Sequence, residues 1–302
     1  MKVDYKKLVR NQDIRFWLLR MVKAIPDKII VKWQYKLKLG RRPNLMNPIR
    51  YTEKLQCYKL YYRNDFLTQC ADKYRVREYV ISKGYEHILV PLIGVYDKVE
   101  EIPFCELPNM FVIKTTHGSG TNIFCRDKDS FDFNMAKKLL KKWLKRDYFA
   151  AGREWAYKNI APRIIIEQLL VPKDEKTISL NDYKFLCFNG EVKYIVVDKN
   201  RFESHKRNIY TPEWGFLDIS TDHPNCGDFI PKPENLDEMK SIATTLSQGF
   251  PHVRVDLYSI NSTIYFGEMT FYPWTGYVQF HPDEFDMEIG QWFETGELWN
   301  HQ

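Results

Sequence analysis

Two short segments late in the chain carry the side chains best suited to phosphate chemistry: Arg254-Val255-Asp256 and Phe266-Gly267-Glu268-Met269-Thr270. Strand alternation sets Arg254 and Asp256 on one face, and likewise Glu268 and Thr270. A turn near Asn261 or Ser262 brings Asp256 approximately opposite Glu268. Two carboxylates facing across a sheet repel each other unless a cation lies between them. A hard divalent ion with oxygen ligands suits that place, and Mg²⁺ characteristically bridges carboxylates to nucleotide phosphates. Arg254 would stand beside it, able to stabilise charge on a transferring phosphoryl group or a tetrahedral centre. The competing reading is a pair neutralised by Arg254 and other cations alone.

Two earlier segments offer complementary groups. Phe111-Val112-Ile113-Lys114 runs into His117-Gly118-Ser119-Gly120. Glycine lets phosphate oxygens approach backbone N–H groups, and an upstream lysine adds a point charge. The spacing is not that of a P-loop, because GxxxxGK[ST] is absent and a strand follows. A plain hairpin with a Gly-Ser tip would read the same way. In Ile164-Ile165-Ile166-Glu167-Gln168-Leu169-Leu170 an acid interrupts an apolar strand. Burying a lone carboxylate is costly, so Glu167 is either paired, used to bind an exocyclic amine, or turned to water at an edge.

The elements that must position these groups are readable from periodicity. Residues 1–70 read as helices broken by the proline-marked stretch 39–48, and residues 72–83 as a further helix closed by Gly84. Ile88 to Tyr96 is expected as a buried strand and Met110 to Lys114 as a second. Ile123 to Cys125 then forms a hairpin, and Asn134 to Lys145 an amphipathic helix. Arg163 to Val171 is a strand. Tyr183 to Val197 is a hairpin turning at Asn189-Gly190, and Val253–Tyr258 with Ile264–Thr270 makes the last one. Hairpins between helices indicate an α+β protein built largely from antiparallel sheet.

The 302 residues are 44% hydrophobic and 28% charged, an ordinary globular balance, and 15% aromatic. No apolar run approaches the roughly 20 residues of a membrane helix. The charged start, Met1 to Lys7, does not resemble a secretion signal. The six cysteines lack CxxC spacing and fit small core residues in a reducing cytoplasm. Charge is uneven: residues 1–60 hold sixteen Lys or Arg against four Asp or Glu, so with a total of +6 the remainder carries −6. Interleaved Ile14, Phe16, Trp17, Leu18, Met21 and Val22 suggest a face for an anionic membrane surface. A basic helix packed on its own domain is the alternative, and no nucleic-acid module accompanies the charge.

In order along the chain these motifs resemble the ATP-grasp superfamily, and more closely its TupA-like branch, named for a teichuronopeptide biosynthesis protein. The carriers are Asp72-Lys73-Tyr74-Arg75-Val76-Arg77-Glu78-Tyr79-Val80, Val112-Ile113-Lys114 with His117 to Gly120, Ile166 to Leu170, Asp182-Tyr183-Lys184-Phe185 with Phe188-Asn189-Gly190, and Arg254-Val255-Asp256-Leu257-Tyr258 with Phe266-Gly267-Glu268-Met269-Thr270-Phe271. The resemblance implies an α+β ATP-grasp fold, two antiparallel-sheet lobes enclosing ATP with a short helical N-terminal region. The expected boundaries are 1–71 for the basic helical region, 72–105 for the start of the core, 106–171 for the small lobe with its glycine-rich loop, and 172–302 for the large lobe with the Mg²⁺ site.

By the same resemblance Lys73 and Lys114 grip the α- and β-phosphates, and Gly118, Ser119 and Gly120 cover the triphosphate with His117 beside them. Glu167 faces the adenine amine, with the backbone at Gln168, Leu169 and Leu170 as hinge. Asp182 looks like the ribose-binding acid, with Asp174 or Glu175 competing, and Lys184 reaches the phosphates. Asp256 and Glu268 hold Mg²⁺, and Arg254 is the oxyanion-side arginine. Thr270 stands where many members have Asn, and the segment before Lys73 is too short for the usual preceding α/β domain.

The activity implied is carboxylate–amine ligation with ATP and Mg²⁺: an acyl phosphate forms, and an amine displaces phosphate to leave an amide. Family context suggests a cell-envelope or capsular polysaccharide, joining a saccharide carboxylate such as a uronic acid to an amine. Arg201, His205 and Arg207 are then candidates for gripping an anionic acceptor. Three other readings stand beside it. A glycosyltransferase would use a DxD motif, spelled once as Asp127-Lys128-Asp129 but without a leading apolar strand. A kinase would share the same grasp for ATP, and a non-catalytic nucleotide-binding module would bind without turnover. The expected location is the cytoplasm, with membrane association on its inner face and no nucleic-acid partner.

Overall fold

The computed structural model describes residues 14, 18–19, 21–172, 181–199, 205–226 and 230–294. Among these, helix α1 (Asp27–Leu39) buries Ile30, Val31, Gln34, Tyr35 and Leu39. It ends at Gly40, whose φ of 75° is the left-handed cap that glycine adopts without a Cβ clash. The loop that follows is pinned by Glu53, whose carboxylate accepts from the backbone N–H groups of Asn44, Ile49 and Arg50. Helix α2 (Tyr51–Tyr61) is buried nearly all round. Asp286 fixes its start by accepting from Thr52 N at 2.9 Å and Thr52 Oγ1 at 2.7 Å.

Short helices α3 (Phe66–Ala71) and α4 (Val76–Ser82) come next. The periodic run from Asp72 therefore turns helical only at Val76. The reason is the Asp72 carboxylate, which accepts from Tyr74 N and Arg75 N and holds the intervening residues as a turn. The strand expected over Ile88 to Tyr96 is also shorter. Glu86–Ile88 is a 3₁₀ turn, and strand β1 spans only Leu92–Tyr96, half-exposed rather than buried.

Strands β2 (Phe111–Thr115), β3 (Asn122–Cys125) and β4 (Ile164–Gln168) join β1 in a four-stranded sheet ordered β1-β4-β2-β3, antiparallel throughout. Helices α5 (Phe133–Trp143) and α6 (Tyr148–Gly152) lie between β3 and β4 in sequence. Leu140 and Trp143 of α5 pack with Phe111, Ile113, Ile164 and Ile166 in a core of their own.

The second sheet has six strands ordered β10-β9-β5-β6-β7-β8. They are β5 (Asp182–Phe188), β6 (Glu191–Lys199), β7 (Lys206–Tyr210), β8 (Phe216–Leu217), β9 (His252–Ile260) and β10 (Thr263–Thr270). The β5–β6 turn has Asn189 and Gly190 at φ 49° and 82°, the left-handed pair a tight hairpin demands. Asn261 and Ser262 play the same part between β9 and β10. Helix α7 (Leu236–Ser247) covers one face, placing Met239, Ile242, Ala243 and Leu246 in the larger core with Phe185, Val253 and Val255. Helix α8 (Phe285–Trp292) closes the described chain against α2. No helix among the described residues is long and apolar enough to cross a membrane. Of the six cysteines, only Cys105 is exposed and none is disulfide-bonded.

Candidate active site

The face of the six-stranded sheet that α7 does not cover gathers charge. Register sets Asp256 of β9 opposite Glu268 of β10 on one side and opposite Lys184 of β5 on the other. Thr270 faces Arg254, and Asp182 faces Asp198 of β6. Glu268 reaches this face because the β9–β10 ladder slips at Gly267, a bulge that changes the strand's phase. Ile264 and Phe266 enter the core before it, Met269 after it, and Glu268 and Thr270 are left on the polar side. A Cβ on Gly267 would lie 2.9 Å from the backbone oxygen of Asp256, so the bulge brings backbones too close for any larger residue.

Arg254 lies between the two carboxylates. Its Nε donates to Asp256 Oδ1 at 2.6 Å, and one Nη donates to Asp256 Oδ2 at 2.7 Å, Glu268 Oε1 at 3.2 Å and Thr270 Oγ1 at 3.1 Å. Lys184 contacts Asp182 closely, with Asp256 at 3.3 Å and Asp198 at 3.7 Å. Burial raises the Asp256 carboxyl above its ordinary value despite Arg254 and Lys184. Burial also works against the Glu268 carboxylate, but Lys73, Arg254 and Lys184 outweigh it and bring that group down to about 2. Glu268 is thus anionic at neutral pH.

Lys73 connects this face to the glycine-rich loop. Its backbone N–H donates to Thr116 O at 3.2 Å, and its Nζ donates to Gly118 O at 2.7 Å while standing 3.5 Å from Glu268 Oε2. Gly118 lies beneath the Tyr148 ring: a Cβ there would sit 2.2 Å from ring carbons. His117 meets the same ring edge-on at 5.3 Å. Burial, with the Lys73 charge adding to it, lowers His117 to about 4, so it is neutral at pH 7. Ser119 and Gly120 are exposed.

In the four-stranded sheet Lys114 Nζ donates to Glu167 Oε2 at 2.7 Å, and Arg77 donates to Glu167 Oε1 at 3.3 Å. Of the alternatives for Glu167, pairing is the one observed. Gln168 ends β4 with its N–H on Pro91 O, and Leu169 and Leu170 follow it, half-buried. Asp174 and Glu175 lie outside the described residues, as does Arg201.

Arg207 and His205 converge on Asp198. Arg207 binds its two oxygens at 2.7 and 3.2 Å and reaches Asp222 at 3.1 Å, while His205 Nε2 is 3.0 Å from Asp198. Arg207 thus presents a guanidinium already engaged by acids, and its ring-facing side lies 5.3 Å over Trp274. Asp198 and Arg77 are the members that sequence reasoning missed. The signal for Asp198 was present in Tyr194-Ile195-Val196-Val197-Asp198, an apolar strand ended by an acid, as at Glu167. Asp127-Lys128-Asp129 stands apart, in a turn after β3 where Lys128 donates to Cys105 O and Leu107 O.

Asp256, Glu268 and Thr270 form an all-oxygen donor set, which suits a hard cation rather than one seeking thiolate or imidazole. Among the described residues no group of three or more His, Cys, Asp or Glu is placed to hold a metal ion. Two carboxylates are, however, the usual protein share for Mg²⁺, with water and phosphate oxygens completing the shell. The residues present fit that ion.

The chain is similar in fold to several solved ligases. D-alanine–D-alanine ligase from Bacillus anthracis, complexed with ATP, is 15% identical with a TM-score of 0.40, over 73% of this chain and 61% of that one. N5-carboxyaminoimidazole synthetase from Staphylococcus aureus is 13% identical at 0.40, over 67% and 44%. Phosphoribosylamine–glycine ligase from Thermotoga maritima is 11% identical at 0.41, over 70% and 50%. The chain therefore spans less than two thirds of the length of each. Comparison with curated proteins finds no match. The TupA-like ATPgrasp family model matches residues 53–294, which hold Lys73, the glycine-rich loop, Glu167 and the Asp256–Glu268 pair, and the chain belongs to that family.

Proposed function

We propose that this chain is an ATP-dependent carboxylate–amine ligase acting on saccharide substrates of a cell-surface or capsular polysaccharide. The observation that supports it is the meeting of Asp256 and Glu268 on facing strands, with Lys73, bonded to Gly118 of the glycine-rich loop, reaching Glu268. The site faces the cytoplasm, and the basic residues 1–60 meet an anionic membrane surface.

Mg²⁺ held by Asp256 and Glu268 would supply charge neutralisation for the phosphates of ATP, the co-substrate. Lys73 and Lys114 bind the α- and β-phosphates. Glu167, fixed by Lys114 and Arg77, offers a carboxylate oxygen to the adenine amine, and Asp182 takes the ribose hydroxyls. The substrate carboxylate attacks the γ-phosphorus and expels ADP, and an amine then displaces phosphate from the acyl phosphate, losing a proton as the amide forms. Arg254 opposes the charge that develops on the oxygens. It stays a guanidinium because Asp256 and Glu268 hold it above its ordinary value in spite of burial. Lys184 serves the same anionic centre from β5. The Tyr148 ring over Gly118 keeps water from a hydrolysable intermediate.

Measuring ADP and phosphate release with a uronic acid, with and without an amine, tests this. Dependence of a stable product on both partners sustains the ligase reading. A stable phosphorylated product from one partner would make the protein a kinase, and sugar transfer from a nucleotide sugar would make it a glycosyltransferase. ATP binding that survives Asp256→Asn and Glu268→Gln without turnover on any pair would leave only a nucleotide-binding module.

A further inference from the structure

Helix α1 has two apolar sides. One packs inward through Ile30, Val31, Gln34 and Tyr35. On the opposite side Ile25, just ahead of the helix, is followed at four-residue steps by Ile29 and Trp33, each 57% exposed. Side chains four apart stand above one another on a helix, so Ile29 and Trp33 form one row, with Ile25 exposed in the extended backbone just before the helix. Ile14, Leu18 and Met21 are also exposed and precede the row at steps of three or four residues. Lys28, Lys32 and Lys36 are exposed alongside it. The helix lies ahead of residues 53–294, the stretch shared with the family.

From this we infer that the Ile29–Trp33 row, with Ile25 ahead of it, is a docking edge for an anionic lipid surface. A surface helix normally presents polar residues to water, so a row of large apolar groups there has a cost that burial elsewhere removes. The charge decides the occupant. Sixteen basic residues against four acidic ones in the first 60 leave this end cationic, which matches an anionic headgroup layer. A second copy is the poorer fit: a twofold contact through this row would set lysines of one copy near those of the other. Ile29 and Trp33 would enter the headgroup–acyl boundary, where the indole ring is favoured, while the three lysines stay among the phosphates. The inference rests on the membrane part of the reading above and not on the ligation chemistry.

The full-length protein is sedimented with vesicles of phosphatidylcholine alone or mixed with phosphatidylglycerol, at low and high salt. Binding only to the anionic vesicles, lost at high salt, is expected. The double variant Ile29→Ser, Trp33→Ser and the triple variant Lys28→Glu, Lys32→Glu, Lys36→Glu should each lower the bound fraction about tenfold. These residues are exposed, so a matching unfolding temperature shows that folding is intact. Wild-type binding that the double variant leaves unchanged would overturn the row while keeping a cationic N-terminus on the membrane. No vesicle binding by the wild type would remove both. A wild-type dimer that the double variant turns to monomer, without lipid binding, would assign the row to self-association. ADP release on soluble substrates, measured with the same variants, reports separately on the ligase reading and should not change.

Discussion

Lys73 Nζ stands 3.5 Å from Glu268 Oε2 while donating to Gly118 O at 2.7 Å, so one side chain ties the glycine-rich loop to a carboxylate of the six-stranded sheet. Replacing Lys73 with Met should lower kcat/KM for ATP by roughly a hundredfold or more, the usual scale for a single electrostatic contact to the reacting group. Lys73→Arg, which keeps the charge, should recover part of the loss. Steady-state kinetics with ATP as the varied substrate checks both.

Gly118 has no room for a side chain, because a Cβ would press into the Tyr148 ring at 2.2 Å. Gly118→Ala should cost about 1–3 kcal/mol of stability, as overpacking commonly does. The same substitution in a Tyr148→Ala background should cost clearly less, since the obstruction is gone. Denaturant unfolding of the four proteins in this cycle measures the coupling.

His252 is fully buried between Tyr51, whose hydroxyl is 2.9 Å from Nε2, and Phe188, stacked at 4.5 Å. Burial is the largest cause that lowers it from 6.5 to about 3, with Arg254 adding to it. A depressed folded-state value means the unfolded chain binds the proton first. Stability from this group is therefore present above pH 6.5 and is lost as pH falls toward 3. The loss should reach roughly 5 kcal/mol at the acid end. His117, lowered to about 4, acts in the same direction. Urea midpoints between pH 7 and 4 should fall for the wild type and fall less for His252→Gln.

Asp198 is the common partner of Lys184, Arg207 and His205. Burial works against its carboxylate, but Arg207 and Lys184 hold it well below the usual carboxylate range. Asp198→Asn leaves two buried cations short of a partner and should destabilise the fold by about 3 kcal/mol. Thermal unfolding checks this, and a rise in KM for ATP or the acceptor would show that Lys184 had also moved.

Much of this site was legible because hairpin chemistry is local. Asn189-Gly190 and Asn261-Ser262 fix their turns through left-handed residues, and turn position sets register. Counting from that second turn brings Asp256 approximately opposite Glu268, and the bulge at Gly267, which the turn does not announce, completes the pairing. What escaped depends on contacts between distant residues. The late start of α4 follows from Asp72 capping its own turn, a choice periodicity does not reveal. The short β1 is the edge strand of its sheet, a place its apolar composition does not reveal, and Leu92 is left exposed. Asp198 gained its role only because β7 brings Arg207 beside it. Arg77, on a helix, meets Glu167 across 90 residues of chain.

One inserted residue lets strand β10 serve two masters. Upstream of Gly267 its even-numbered side chains belong to the hydrophobic interior, and downstream they belong to the cleft. Flattening the bulge into a regular ladder with Gly267 retained would turn Glu268 among Phe266 and its neighbours and Met269 out among the charges, whereas excising Gly267 would keep Glu268 opposite Asp256. The acid central to the proposed chemistry is thus addressed by a counting irregularity, and a strictly regular strand of the same length would hide it without altering any charged residue.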